Sequence, residues 1–224
     1  MLQSPFELPN EIWMKIMSYL KNEDIFGNFA FVNKHFHDLT MDQSAVKYLH
    51  LEDAKSKAKS KVLYKNWMKV IKRSRSIVEL KIIDNNKGLD WNKLIIETLC
   101  ANQHLKSLKI EYDYQGFLRL TPSVAEALRL AKNLQHFQTK YVELCPEILE
   151  VFCKLNSLKR LIIPASNGIK ITPEFVESFA YSNNPIEYFS GRAFWKFGDE
   201  NTRTKALNIL FEKKQDTLKG WNTG

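Results

Sequence analysis

Leu105-Lys-Ser-Leu108-Lys-Ile110 is one of six units in this chain built to the same spacing. The others are Ile77-Val-Glu-Leu80-Lys-Ile82, Leu134-Gln-His-Phe137-Gln-Thr139, Leu158-Lys-Arg-Leu161-Ile-Ile163, Ile186-Glu-Tyr-Phe189-Ser-Gly191 and Leu218-Lys-Gly-Trp221-Asn-Thr223. Each places an apolar residue, two spacers and a second apolar residue, in most cases followed two positions on by a third. The starts lie 28, 29, 24, 28 and 32 residues apart. Apolar residues two apart belong on one face of a strand. Strands recurring at this period predict an array of stacked units rather than a single closed core.

Helical spacing fills the intervals. Trp91–Leu99 has Leu94, Ile95 and Leu99 in step. Thr121-Pro122, Cys145-Pro146 and Thr172-Pro173-Glu174 each open a further helix, with Thr121 and Thr172 expected as side-chain caps. Proline supplies a pre-set φ at the first turn, and an acid such as Glu174 suits the positive helix end. Asn201–Lys213 carries Ala206, Leu207, Leu210 and Phe211. Strand, turn, helix, turn predicts an α/β chain in which each unit buries its apolar side on its neighbour.

These units resemble leucine-rich repeats. The family's fourth position, an Asn or Cys, is met by Asn85, approximated by Asp113 and Ser166, and missed at Val142 and Phe194. The resemblance implies a curved solenoid over 76–224, about five to six repeats, with parallel strands on the concave face and helices on the convex one. Strand alternation then places Glu79, Lys81, Ser107, Lys109, Glu111, His136, Gln138, Lys140, Arg160, Ile162, Tyr188, Ser190 and Arg192 on the concave face. Within that set Lys81, Lys109, Glu111, His136, Gln138, Arg160, Tyr188 and Arg192 are the candidate target-binding residues, since Tyr and Arg are common anchors in protein recognition. A merely solvated sheet face is the competing reading. The sixth unit reaches residue 224 with no following helix, so either another chain covers its edge or the natural product is longer.

Upstream, Phe6–Leu39 reads FELPNEIWMKIMSYLKNEDIFGNFAFVNKHFHDL. Pro9 can start a helix, and Asn10 and Glu11 suit its first turn. Ile12, Ile16 and Leu20 form one row, while Trp13, Met17 and Leu20 form an adjoining one. The stripe is wider than one buried face requires. Asn22-Glu23-Asp24 reads as a capping turn, Ile25, Phe26, Phe29 and Val32 as a second short helix, and Phe36 and Leu39 as part of a third. So small a unit with surplus apolar surface suggests a face for another protein; the plainer reading is the first helices of an ordinary α domain.

The stretch resembles an F-box, over about 35 of 224 residues. Leu8-Pro9, Glu11, Tyr19-Leu20, Asp24 and Val32-Asn33-Lys34-His35-Phe36 follow the family's order, with Asn33 where Cys is usual and Phe36 where Trp is usual. The resemblance implies docking to the Skp adaptor of a cullin-RING ubiquitin ligase. The expected adaptor contact is Leu8, Pro9, Ile12, Ile16 and Leu20, completed or supported by Ile25, Phe29, Val32 and Phe36. The domain reading is F-box 1–45, basic helical linker or cap 46–75, and repeats 76–224.

The net charge of +8 is local. Between Lys55 and Arg75 nine basic residues meet no acidic one, which leaves 24 basic against 25 acidic elsewhere. That balance does not support a general nucleic-acid footprint. The basic stretch is read as a solvated helix face, with long-range attraction for an acidic partner as the alternative and Trp67 as core. No run long and apolar enough to span a membrane occurs. Nor does the start show a basic-then-apolar signal pattern, so a cytoplasmic or nuclear location is expected. Cys100, Cys145 and Cys153 lack paired spacing and fit buried thiols in a reducing compartment, with Cys100 and Cys153 in the core.

No Gly-rich phosphate loop, HExxH, GxSxG or paired Cys site is present, and His35 and His37 lack a third ligand. No cofactor or metal is expected. The F-box and repeat resemblances together imply a non-catalytic substrate receptor of an SCF-type ligase, binding the Skp adaptor and, through it, a cullin, and presenting an unknown protein target. A non-degradative Skp-bound scaffold and a basic nucleic-acid-associated repeat protein are the alternatives.

Overall fold

The computed structural model describes residues 8–17, 19–20, 32–40, 46–52, 57–84, 89–112, 118–163, 171–191 and 199–222. The described helices are α1 (Asn10–Met17), α2 (Lys34–Thr40), α3 (Lys57–Arg73), α4 (Trp91–Ala101), α5 (Pro122–Leu128), α6 (Pro146–Lys154), α7 (Pro173–Ala180) and α8 (Glu200–Lys214). The strands are β1 (Tyr48–Glu52), β2 (Glu79–Asp84), β3 (Ser107–Tyr112), β4 (Leu118–Arg119), β5 (His136–Lys140), β6 (Val142–Glu143), β7 (Arg160–Ile162), β8 (Tyr188–Ser190) and β9 (Gly220–Asn222). The chain is a mixed α/β protein whose main sheet has seven parallel strands in the order β1-β2-β3-β5-β7-β8-β9. A short parallel pair, β4 with β6, forms a second sheet, β6 following β5 after one residue.

The register explains the recurring apolar position. Leu49, Leu80, Leu108, Phe137, Leu161, Phe189 and Trp221 stand opposite one another across all seven strands. All but Trp221 are buried, and they share one core with Trp91, Leu94, Ile95, Val124, Leu128, Phe152, Val176 and Leu210 from the helices. The alternate strand positions are mostly polar and, apart from Ser107 and Ser190, are exposed or only partly buried. One sheet face is therefore covered by helices and the other is left open, which is why the strands alternate rather than being apolar throughout.

A second inward row runs Leu51, Ile82, Ile110, Thr139. Thr139 is 1% exposed, and its hydroxyl has no hydrogen-bond partner. An unpaired buried hydroxyl costs free energy that an isosteric methyl does not. Thr139→Val should therefore raise stability by about 1 kcal/mol, read as an upward shift in the urea midpoint at constant slope. A lower midpoint would show that the hydroxyl is satisfied.

Neighbouring units are tied by buried polar side chains. Asn102, fully buried at the end of α4, accepts from Ile77 N at 2.9 Å and donates to Thr98 O at 3.1 Å. Asn184 Nδ2 donates to Phe152 O at 3.3 Å. Lys214, in the last turn of α8, donates through Nζ to the carbonyls of Ser182 and Asn184. Burial lowers the Lys214 pKa, since a desolvated ammonium is disfavoured.

Several local expectations are corrected. The stretch read as the start of a connector holds β1, which extends the sheet by one strand before β2. Thr172 caps α7, accepting from Phe175 N at 3.3 Å, but the Thr121 hydroxyl makes no cap bond and its N–H instead donates to Asn92 Oδ1 at 3.1 Å. Asp90 and Asp199 are side-chain caps as well, accepting from Lys93 N at 3.0 Å and Thr202 N at 2.9 Å. Cys100 is exposed rather than core, because α4 buries Trp91, Leu94, Ile95, Thr98 and Leu99 and position 100 falls off that face. Cys153 is half-buried, and burial, then the Glu150 charge, push its thiol up to about 11. The repeat positions Asn85, Asp113, Ser166 and Phe194 lie outside the described residues.

Candidate functional site

Two surfaces stand out. The first is α1. Its start is closed by the Pro9 carbonyl, which accepts from Ile12 N at 3.0 Å and Trp13 N at 3.2 Å. Asn33 sits before α2, and its Oδ1 accepts from Phe36 N at 3.0 Å, an N-cap that gives this residue a local purpose. Met17, Phe36 and Leu39 form a small core with Trp13 and Met14 packed against it. The Trp13 and Phe36 rings meet edge to face at 4.8 Å.

With that face used, the rest of the apolar stripe is left outside. Leu8, Ile12, Ile16 and Leu20 are 41%, 43%, 37% and 36% exposed, at i, i+4, i+8 and i+12. Pro9 and Val32 are exposed too. Phe36 is 2% exposed, so it supports α1 from behind. Ile25 and Phe29 lie outside the described residues.

The second surface is the open sheet face, organised in transverse rows. One runs Tyr48, Glu79, Ser107, His136, Arg160, Tyr188, Gly220. The next runs His50, Lys81, Lys109, Gln138, Ile162, Ser190, Asn222, and a third brings together Glu52, Ile83, Glu111 and Lys140. Diagonal neighbours pair: Lys109 with Glu79 at 3.2 Å and Lys81 with Glu111 at 3.4 Å. The Arg160 guanidinium lies 4.8 Å from the centre of the Tyr188 ring. Ser107 and Ser190 are buried within this face, Ser107 as part of the lining of a recess. Of the sequence-predicted face residues, Lys81, Lys109, Glu111, His136, Gln138, Arg160 and Tyr188 are brought onto one surface; Arg192 lies outside the described residues.

A recess of about 350 Å³ opens in this face, lined by Glu79, Ser107, Lys109, His136, Gln138 and Arg160. Burial, then the positive charges of Arg160, Lys109 and Lys159, hold the His136 imidazole below its usual pKa against the opposing pull of Glu79. A second cavity, about 500 Å³, lies where α6 and α7 begin, lined by Leu144, Cys145, Leu149, Cys153 and Phe175 with Arg119 and Glu143 at its rim. Its lining is drawn from three units, which no single stretch of sequence signals.

The basic stretch forms α3. Lys61, Lys65, Lys69, Lys72 and Arg73 are exposed on it, while Trp67 is buried and stacks on Trp91 at 5.7 Å. Among the described residues no group of His, Cys, Asp and Glu is placed to hold a metal ion, and no helix is long and apolar enough to cross a membrane. Residues 6–48 match the family model of the F-box domain. No curated protein matches the chain.

Proposed function

We propose that this chain is the substrate-recognition subunit of an SCF-type ubiquitin ligase. Residues 6–48 dock on the Skp adaptor, and through it a cullin, while the sheet-and-helix array receives a protein target. The observation that carries the reading is the exposed row Leu8, Ile12, Ile16, Leu20 inside the segment matching the F-box domain. Ile12 and Ile16 on so short a helix, with Leu8 before it and Leu20 after it, call for a partner that removes them from water. The array is read as irregular leucine-rich repeats, supported by parallel strands paired in chain order with helices between most of them. The chain itself does no chemistry in this role: it holds a target near the ligase.

Co-expression with the Skp adaptor followed by size-exclusion mass determination tests the reading. A one-to-one complex is the expected outcome. A stable monomer that ignores the adaptor would overturn it. Recovery of the adaptor without any cullin, from cells containing both, would favour a non-degradative scaffold.

A further inference from the structure

We propose that the recess over β3, β5 and β7 binds an oxyanion carried by the target polypeptide, a carboxylate or a phosphoryl group, held by Ser107, His136 and Arg160. The inference rests on the open sheet face being the target-binding surface, and it gives that surface a chemistry.

The three residues are consecutive in one transverse row. Adjacent strands lie about 4.8 Å apart, so Ser107 and Arg160 flank His136 at roughly 10 Å from each other. A group seated above the imidazole is within reach of donors on both sides. Ser107 is 5% exposed, lines the recess and has a hydroxyl with no hydrogen-bond partner. A buried donor without an acceptor is costly, and a bound anion would satisfy it.

Arg160 forms no ion pair with a carboxylate among the described residues. Its neighbour is the Tyr188 ring, over which the guanidinium lies in a contact that uses none of its N–H donors as hydrogen bonds. Those donors suit a planar or tetrahedral oxyanion in two-point contact.

The one carboxylate in the recess, Glu79, is held by Lys109 at 3.2 Å and sits on the β2 side of the row, away from Arg160. Lys159 is likewise engaged, by Glu187 at 3.5 Å. The half of the recess between Ser107 and Arg160 therefore carries uncompensated positive charge. The same surplus, with burial, disfavours a proton on His136 in the free protein. An anion reverses that balance, so binding takes up a proton and tightens as pH falls through the His136 titration.

Titration of the full chain with sulfate, whose charge is constant over the range, tests this by the NMR signals of the His136 ring. Saturable shifts are expected, with the midpoint of His136 protonation raised by sulfate. Ser107→Ala and Arg160→Gln should each weaken binding about tenfold, the loss of one hydrogen bond to a charged group. Non-saturating shifts, or an unchanged affinity in Arg160→Gln, would overturn the site. Capped tripeptides centred on phosphoserine or on glutamate then separate the sources: tighter binding of one assigns the group, and binding of neither at any concentration that saturates sulfate rejects a polypeptide-borne anion. Adaptor capture is read in a different experiment at the other end of the chain, so the recess and the ligase role can fail separately.

Discussion

Ile12→Ala should weaken binding of the Skp adaptor by about 30-fold, the equivalent of about 2 kcal/mol at a central anchor, while leaving the thermal midpoint of the free chain nearly unchanged. The separation of the two effects follows from where the side chain sits. Ile12 is 43% exposed, whereas Met17, at the other edge of the same apolar stripe, is 1% exposed. Truncating an exposed residue away from core and caps shifts stability by no more than about 0.5 kcal/mol. Truncating the same residue once it is buried against a partner removes area worth about 25 cal/mol per Å² and leaves a gap in the interface. Phe36→Ala should behave oppositely. That ring is buried against Trp13, so its loss loosens α1 on α2 and weakens binding only through the helix pair's stability. Calorimetric titration of purified adaptor into each variant, beside thermal melts of the chain alone, checks both. Unchanged adaptor affinity in Ile12→Ala would mean that the exposed row of α1 is not the docking face.

The same pair of residues shows what the sequence could and could not tell. Helical spacing put Ile12, Trp13, Ile16 and Met17 on one wide stripe, but periodicity cannot say which half of a stripe meets its own chain and which meets a partner. That division depends on α2, whose Phe36 and Leu39 take up Met17 and Trp13. In the sheet, the inward row from Leu80 to Trp221 was legible because a parallel strand repeats its register each time the chain returns. Val46, Leu49 and Leu51 carry the same spacing one period before Ile77, but the polar, lysine-rich segment that follows has a linker's composition, and β1 stands where that segment begins. β4 and β6 are two residues each and carry no period at all. Tyr141, at φ 55, turns the chain between β5 and β6, a left-handed conformation that a tyrosine gives no hint of adopting. The orphaned Ser107 hydroxyl was equally invisible, since its neighbours in the row, Glu79 and His136, come from strands about 28 residues away on either side. Residues whose environment is set within one unit could be read; those set between units could not.

Phe137→Ala is expected to be the most damaging single substitution in the sheet, costing about 3–5 kcal/mol. Phe137 is fully buried in β5, with β3 on one side and β7 on the other, and its ring meets that of Phe152 from α6 at 4.6 Å. No edge lies nearby to let the structure close over the void, so the transfer loss and the cavity both count. A natural domain holds about 5–15 kcal/mol in reserve, and the variant therefore sits near the limit of remaining folded. For a chain of this size each kcal/mol lost lowers the melting midpoint by about 2–4 °C, so a fall of roughly 6–20 °C is expected. Trp221 occupies the same register position on the last strand, but it is only partly buried and packs on Phe211 at 4.9 Å. Trp221→Ala should cost clearly less despite the larger ring, because only one neighbouring strand depends on it. Urea unfolding of the two variants beside the parent chain decides the matter. Equal losses would mean that stability is not graded from the middle of the sheet to its end, and a loss below about 1 kcal/mol for Phe137→Ala would contradict the burial on which this packing argument depends.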